Sequence, residues 1–103
     1  MFFYKKMIMY AILFDLDINS LSGDYEDEIY HNAYQLVKEF MIENGFKWKQ
    51  GSVYFGDDSI DAVACVLAVQ GLARKYPWFS TYVKDVRMLR IEEDNDLFPA
   101  ILF

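Results

Sequence analysis

An α+β fold, one antiparallel sheet with two helices on one face, is predicted by three features of this 103-residue sequence. Strand-type and helix-type periodicities follow one another in the order strand, helix, strand, strand, helix, strand. Asn44-Gly45, Gln50-Gly51-Ser52 and Pro77 punctuate the boundaries between them. Hydrophobic residues make up 54% of the chain, enough for one core and too many for a disordered chain. That order of elements is the ferredoxin-like βαββαβ arrangement. The length fits one domain, read here as residues 9–103 after a short extension at 1–8. There is no internal repeat and no low-complexity segment.

The first strand is the near-continuous apolar run Met7–Leu16, the pattern of a strand buried on both faces. Its uninterrupted part, Met7–Phe14, is too short to cross a membrane. The Asp-Leu-Asp that follows is not a signal-peptide cleavage site. Asp15 and Asp17 lie two apart, so in an extended strand they share a face. Residues 18–28 (INSLSGDYEDE) read as a polar loop, with the acidic residues of 24–28 loading the first turn of a helix. Ile29, Ala33, Leu36, Val37, Phe40 and Met41 then form one apolar helix face, and Asn44-Gly45 stops the helix.

Phe46–Gln50 and Ser52–Gly56 read as two strands joined by a tight hairpin or bulge at Gly51. Asp57-Asp58-Ser59 offers an N-cap to a second helix over Ile60–Lys75. There Val63, Val66, Leu67 and the small Ala62, Ala64 and Ala68 suit close packing on a sheet. Arg74-Lys75 favour its C-terminus and Pro77 ends it. Val83–Ile91 reads as the last strand and 92–96 as a solvated acidic turn. The tail Leu97–Phe103 is too apolar to hang in water, so it packs on its own protomer or on a partner.

Composition narrows the function classes. Ten basic and sixteen acidic residues leave a net charge of −6, which argues against coating nucleic acid by electrostatics alone. It does not exclude a nuclease, because carboxylates hold metals and a local basic patch coexists with an acidic total. Eight tyrosines, nine phenylalanines and two tryptophans exceed what one small core absorbs, which points to a homodimer surface. The single cysteine, Cys65, allows no internal disulfide, so a reducing cytoplasm is expected and Cys65 reads as a core residue. Phosphate-cradling Gly-rich loops, paired Cys ligands and His clusters are absent from the sequence.

Several residues have both a chemical and a structural reading. Asp15 at a strand end either binds a divalent cation or pairs with Arg87 or Arg90 or caps the next loop. Asp17 either joins it or is a solvated loop acid. Gln50 and Ser52 either hold a phosphate or water, or satisfy hairpin backbone groups. Lys47 and Lys49, on one strand face, either touch a phosphate backbone or are solvated. Trp48 and Tyr54 either stack on bases or pack in a core or dimer. Arg87 and Arg90 read as ion-pair partners, and His31 as a general base or an exposed helical residue.

Together "MYAILFDLD" (9–17), "GFKWKQGSVYFGD" (45–57) and "VKDVRMLRIEE" (83–93) resemble the virulence-associated protein D (VapD) family, from Met9 to about Phe103. Q-G-S-V-Y and D-V-R-x-x-R-I-E are the more specific pieces. The resemblance implies a ferredoxin-like fold related to the small second subunit of the CRISPR adaptation machinery. It also implies an endoribonuclease acting from a homodimer as the toxin of a toxin–antitoxin pair, with RNA as substrate, a small antitoxin protein as partner and Mg²⁺ as cofactor. By position it implies Asp15 as the catalytic or metal-binding carboxylate, with Gln50 and Ser52, which match the second motif, beside it; on that reading of the function, Lys47, Lys49, Arg87 and Arg90 are the candidate substrate-binding residues. Two copies of Asp15 would face each other across the two-fold axis and share one metal, and Gly51 would let a backbone approach closely. The chain departs from the family in residues 1–8, in a second helix rich in Val, Ala and Cys, and in the apolar "AILF" ending. The alternative is a catalytically silent dimeric scaffold for nucleic acid or protein, since related subunits with this fold serve structurally. A third and lesser possibility is an interaction domain whose acids only solubilise it.

Overall fold

The apolar run after residue 8 becomes the strand on which the sheet is built. The computed structural model describes residues 8–24 and 27–103. In chain order its elements are β1 (Met9–Leu16), α1 (Ile18–Asp24), α2 (Asp27–Glu43), β2 (Phe46–Gln50), β3 (Val53–Gly56), α3 (Ala62–Lys75), α4 (Pro77–Tyr82) and β4 (Val83–Ile91), then a 3₁₀ turn at Phe98–Ile101. The sheet order is β2-β3-β1-β4, with every neighbouring pair antiparallel. Each of the two crossovers holds two helices rather than one. The extension at 1–7 and the side chains of the acidic run 24–28 lie outside the described residues.

The two faces of β1 do different work, as the two-residue period of a strand requires. Ile12, Phe14 and Leu16 enter the core with Leu21 of α1, Ala33, Val37 and Met41 of α2, Cys65, Ala68 and Leu72 of α3, and Trp78, Phe79 and Tyr82 of α4. Ala33, Val37 and Met41 fall four apart, so they form a single helical stripe. The other face carries Met9, Ala11, Leu13 and Asp15, aligned with Phe55 and Val53 of β3 and with Ile91, Leu89, Arg87 and Asp85 of β4. Ala11 is buried there but lies outside the helix-covered core.

Four expectations change. Residues 18–24 are helical rather than a loop. Asp17 accepts from the backbone N–H and the hydroxyl of Ser20 at 3.2 and 2.7 Å, an N-cap, and Leu21 is 0% exposed, so one buried anchor overrides the loop-forming Ser, Asn and Gly. The second long helix starts two residues late. Asp61 caps it by accepting from the Ala64 N–H at 2.8 Å, while Asp57 is held in a turn by Ser59. Val63, Val66 and Leu67 face outward, and the buried stripe is Cys65, Ala68 and Leu72. This helix is apolar nearly all round, so periodicity alone does not choose its inner face. Pro77 ends one helix and also begins α4, where its missing N–H costs nothing at the first position.

The apolar tail does not pack on its own protomer: Leu97, Phe98, Ile101, Leu102 and Phe103 are all exposed. Helix α2 ends as read. The Asn44 amide donates to the Phe40 carbonyl at 2.7 Å and Gly45 takes φ +93°. Cys65 is a core thiol, its pKa raised by burial and then by Asp61.

Leu21→Ala should cost about 2–5 kcal/mol of unfolding free energy, as for other fully buried leucines, and urea denaturation measures it. A loss under about 1 kcal/mol would mean that α1 is not anchored through this side chain. Burial pushes the Tyr54 phenol up from 10.0 to about 12. The folded state therefore keeps a proton that the unfolded chain loses first, and stability should fall as pH rises from 10.0 toward 12. Comparing unfolding free energies across that window, Tyr54→Phe should lack this part of the decline.

Candidate functional site

The carboxyl end of β1 gathers most of the candidate residues. The strand ends at Leu16, so Asp17 leaves the sheet and serves as the α1 cap instead of sharing a face with Asp15. The Ser20 hydrogen bonds hold its carboxyl below the usual carboxylate range, helped slightly by the charge of Lys84. Asp15 stays in the strand, exposed on the face away from the helices, just before a β-bulge at Asp15/Leu16. Directly opposite it on β4 is Asp85. Opposed residues of an antiparallel pair point to the same side with their Cβ atoms about 5 Å apart. Two like charges at that spacing repel, and the structure offsets one of them. Arg87 Nε donates to Asp85 Oδ1 and Oδ2 at 2.9 and 3.2 Å.

The arginine pairing with Asp15 read from the sequence does not form among the described residues. Arg87 goes to Asp85, and Arg90 Nη2 lies 3.6 Å from Glu92. Arg87 and Arg90 are three residues apart on a strand, so they occupy opposite faces and only Arg87 accompanies Asp15. Asp85 was not singled out from the sequence. Its alignment with Asp15 depends on the β1–β4 register, which no local motif encodes.

The Gln50-Gly51-Ser52 kink is a two-residue hairpin turn. Gln50 pairs with Val53, the ladder bulges between Trp48 and Gln50, and Gly51 takes φ +48°. Glycine at the first central position is what a type II′ turn demands. An added Cβ at Gly51 meets nothing within 4 Å, so within the protomer this glycine serves the backbone angle rather than a close approach. The turn is tied to the site because the Phe14 N–H donates to the Ser52 carbonyl at 3.3 Å. Gln50 is exposed and Ser52 half-buried.

Lys47 and Lys49 are exposed on β2, two strands from β1, or roughly 10 Å. They line an open groove together with Asp57, Asp58 and Asp94, so carboxylates surround them. Tyr54 is a core residue, while Trp48 is 46% exposed. His31 is exposed on α2. Tyr34, also on α2, was not singled out from the sequence. Its ring lies nearly parallel to Phe14, with centroids 6.3 Å apart. Burial and then the charge of Asp15 raise the pKa of its phenol, while a hydrogen bond with the Ser52 side chain works the other way. Asp15, Ser52 and Tyr34 are therefore electrostatic neighbours.

Among the described residues no three His, Cys, Asp or Glu side chains are grouped to hold a metal ion. Asp15 and Asp85 are two carboxylates opposed across the β1–β4 ladder of one protomer. No helix among the described residues is long and apolar enough to cross a membrane.

Sequence comparison finds close relatives. Endoribonuclease VapD 2 of Riemerella anatipestifer is 73% identical over 93 residues, covering 90% of this chain and 99% of the relative. An endoribonuclease VapD homolog of Helicobacter pylori is 55% identical, covering 90% and 96%. Endoribonuclease VapD of Dichelobacter nodosus is 38% identical over 94 residues, covering 91% and 97%. No protein-family model matches the chain.

Gly51→Ala should destabilise the fold by about 1 kcal/mol or more, because alanine is strained at positive φ. Thermal unfolding measures this, and an unchanged melting temperature would mean that the turn relaxes to another form without loss.

Proposed function

The chain belongs to the endoribonuclease VapD family, and on that premise we propose that it cleaves RNA phosphodiester bonds at the carboxyl end of β1. The observation that carries the placement is the exposed Asp15, set on the uncovered sheet face opposite Asp85 and beside the Gln50-Gly51-Ser52 turn. Phosphodiester cleavage needs a group to take a proton from the attacking hydroxyl and positive charge near the phosphoryl oxygens. Without a bound ion, Asp15 is assigned the first task. Arg87 uses its Nε–H on Asp85 and keeps its terminal amino groups for the second. Gln50 and Ser52 are assigned to holding the phosphate or its water.

Asp15 and Asp85 suit Mg²⁺, which takes one or two carboxylates and keeps several waters and phosphate oxygens. When bound, the ion would supply positive charge against the phosphate and lower the pKa of a bound water. Asp15 and Asp85 would hold it, and Arg87 would keep Asp85 oriented.

The same reading takes the protein as a homodimer joined through the uncovered sheet face. Leu13, Val53, Phe55 and Leu89 make that face apolar, and the exposed tail from Leu97 offers a second contact. Two-fold pairing near β1 would bring both copies of Asp15 together. The same reading takes the protein as a toxin held in check by a small antitoxin protein. A reduced, buried Cys65 and an RNA substrate fit the cytoplasm. The competing reading, a silent dimeric scaffold, is favoured by the net charge of −6 and by the acids around Lys47 and Lys49.

RNA cleavage by wild type and by Asp15→Asn, each with Mg²⁺ and with chelator, tests the assignment. Wild type should cut. Asp15→Asn, still folded, should be slower by about 100-fold or more. Equal cutting by both would remove Asp15 from the chemistry, and inert wild type across several RNAs would favour the scaffold.

A further inference from the structure

A second groove opens beside the same turn, on the helix-covered side of the sheet. Tyr34, Gln35 and Lys38 of α2 and Trp48, Gly51 and Ser52 of the β2–β3 hairpin line about 430 Å³ of it. Tyr34 and Lys38 are one helical turn apart and so share a face. Lys38 Nζ is 4.0 Å from the centre of the Trp48 ring. The indole is fixed in orientation, since its Nε1–H donates to the Gly51 carbonyl at 2.9 Å. Trp48 and Tyr34 are nonetheless 46% and 41% exposed. A protein that needed these rings only for its core would have buried them, as it buries Tyr54 and Trp78.

The charge of this groove differs from that around Lys47 and Lys49. Among the described residues Lys38 is the one charged residue lining it, on a chain whose net charge is −6. The Gln35 amide donates to Glu39 at 3.1 Å, so that carboxylate beside the groove is held on a neutral side chain and not on the lysine. The groove lies near the proposed cleavage site, across the end of β1 from it: its Ser52 carbonyl accepts from the Phe14 N–H, and Asp15, on the opposite face of the strand, is close enough for its charge to act on the Tyr34 phenol of the groove.

We propose that this groove is a nucleotide subsite: one unpaired base of the RNA stacks on Trp48, its phosphate meets Lys38, and the adjoining phosphodiester is delivered to Asp15. Stacking on an aromatic ring is tolerant of base identity, and a lysine on a flexible stem can leave the ring for a phosphate. The delivery step rests on the RNA-cleaving function proposed above; the stacking step does not.

The test uses short single-stranded RNA and the Asp15→Asn protein, so that the RNA survives. Binding is read by anisotropy of labelled RNA and by tryptophan emission. Trp78 is buried, so an RNA-dependent change in emission reports Trp48. Emission should change in step with binding. Adding Trp48→Ala should weaken binding about tenfold and Trp48→Phe much less. Lys38→Gln should weaken it and reduce the salt dependence by about one phosphate contact. Binding that saturates without a change in emission, and that is unaltered in Trp48→Ala and Lys38→Gln, would overturn the subsite, as would no binding at all. Cleavage by wild type with Trp48-independent binding removes the subsite alone. Trp48-dependent binding by an inert wild type leaves the subsite and removes the nuclease reading.

Discussion

Phe14 is the contact on which the rest of the molecule depends. Its ring stacks with Tyr54 at 6.0 Å and with Tyr34 at 6.3 Å, and Phe79 meets it edge-on at 5.6 Å. One side chain of β1 thus joins β3, α2 and α4. Its backbone N–H holds the Ser52 carbonyl, and its neighbours on either side are Leu13 and Asp15. The packing of the core and the position of the candidate carboxylate are fixed by consecutive atoms of one strand. A site built this way is held by the most buried part of the fold rather than by a loop, which keeps Asp15 positioned while it remains open to solvent.

The electrostatics are economical for an acidic chain. Asp15 and Asp85 stand opposite each other, which repels, and Arg87 is spent on Asp85. That ion pair is exposed and contributes little to stability. On the proposed function, it would set how much negative charge an approaching phosphate meets. Elsewhere the lysines of β2 line a groove with three aspartates, whereas Lys38 lines one with no carboxylate among its described lining residues. RNA binding to such a surface is governed by a few local contacts and not by the total charge.

Much of the sheet was legible in the sequence because its signals are local. An apolar run ending in aspartate, alternation around Gly51, and Asn44-Gly45 placed β1, the hairpin and the end of α2 close to where they occur. α1 was not legible, since Asn, Ser and Gly speak for a loop and the helix is held by the Asp17 cap and the burial of Leu21. α4 was hidden because proline both stops and starts helices. For the site, Asp15, Gln50, Ser52 and Asp85 all fall in quotable motifs, but the place of Asp85 opposite Asp15 comes from strand register, and Tyr34 and Lys38 enter through helix packing over the hairpin. Those are relations between distant segments, and a single sequence does not state them.

Among the described residues the sheet has helices on one side only, and the chain ends in an exposed apolar tail. A chain of this kind has not buried all the surface that could stabilise it. Whatever covers that face adds to folding free energy by mass action, in proportion to the logarithm of its concentration. If the cover is another copy, the fraction of chains that are folded rises with the amount made. Expression level then acts as a thermodynamic variable: a cell making little of this protein holds it closer to unfolding and to proteolysis than one making much.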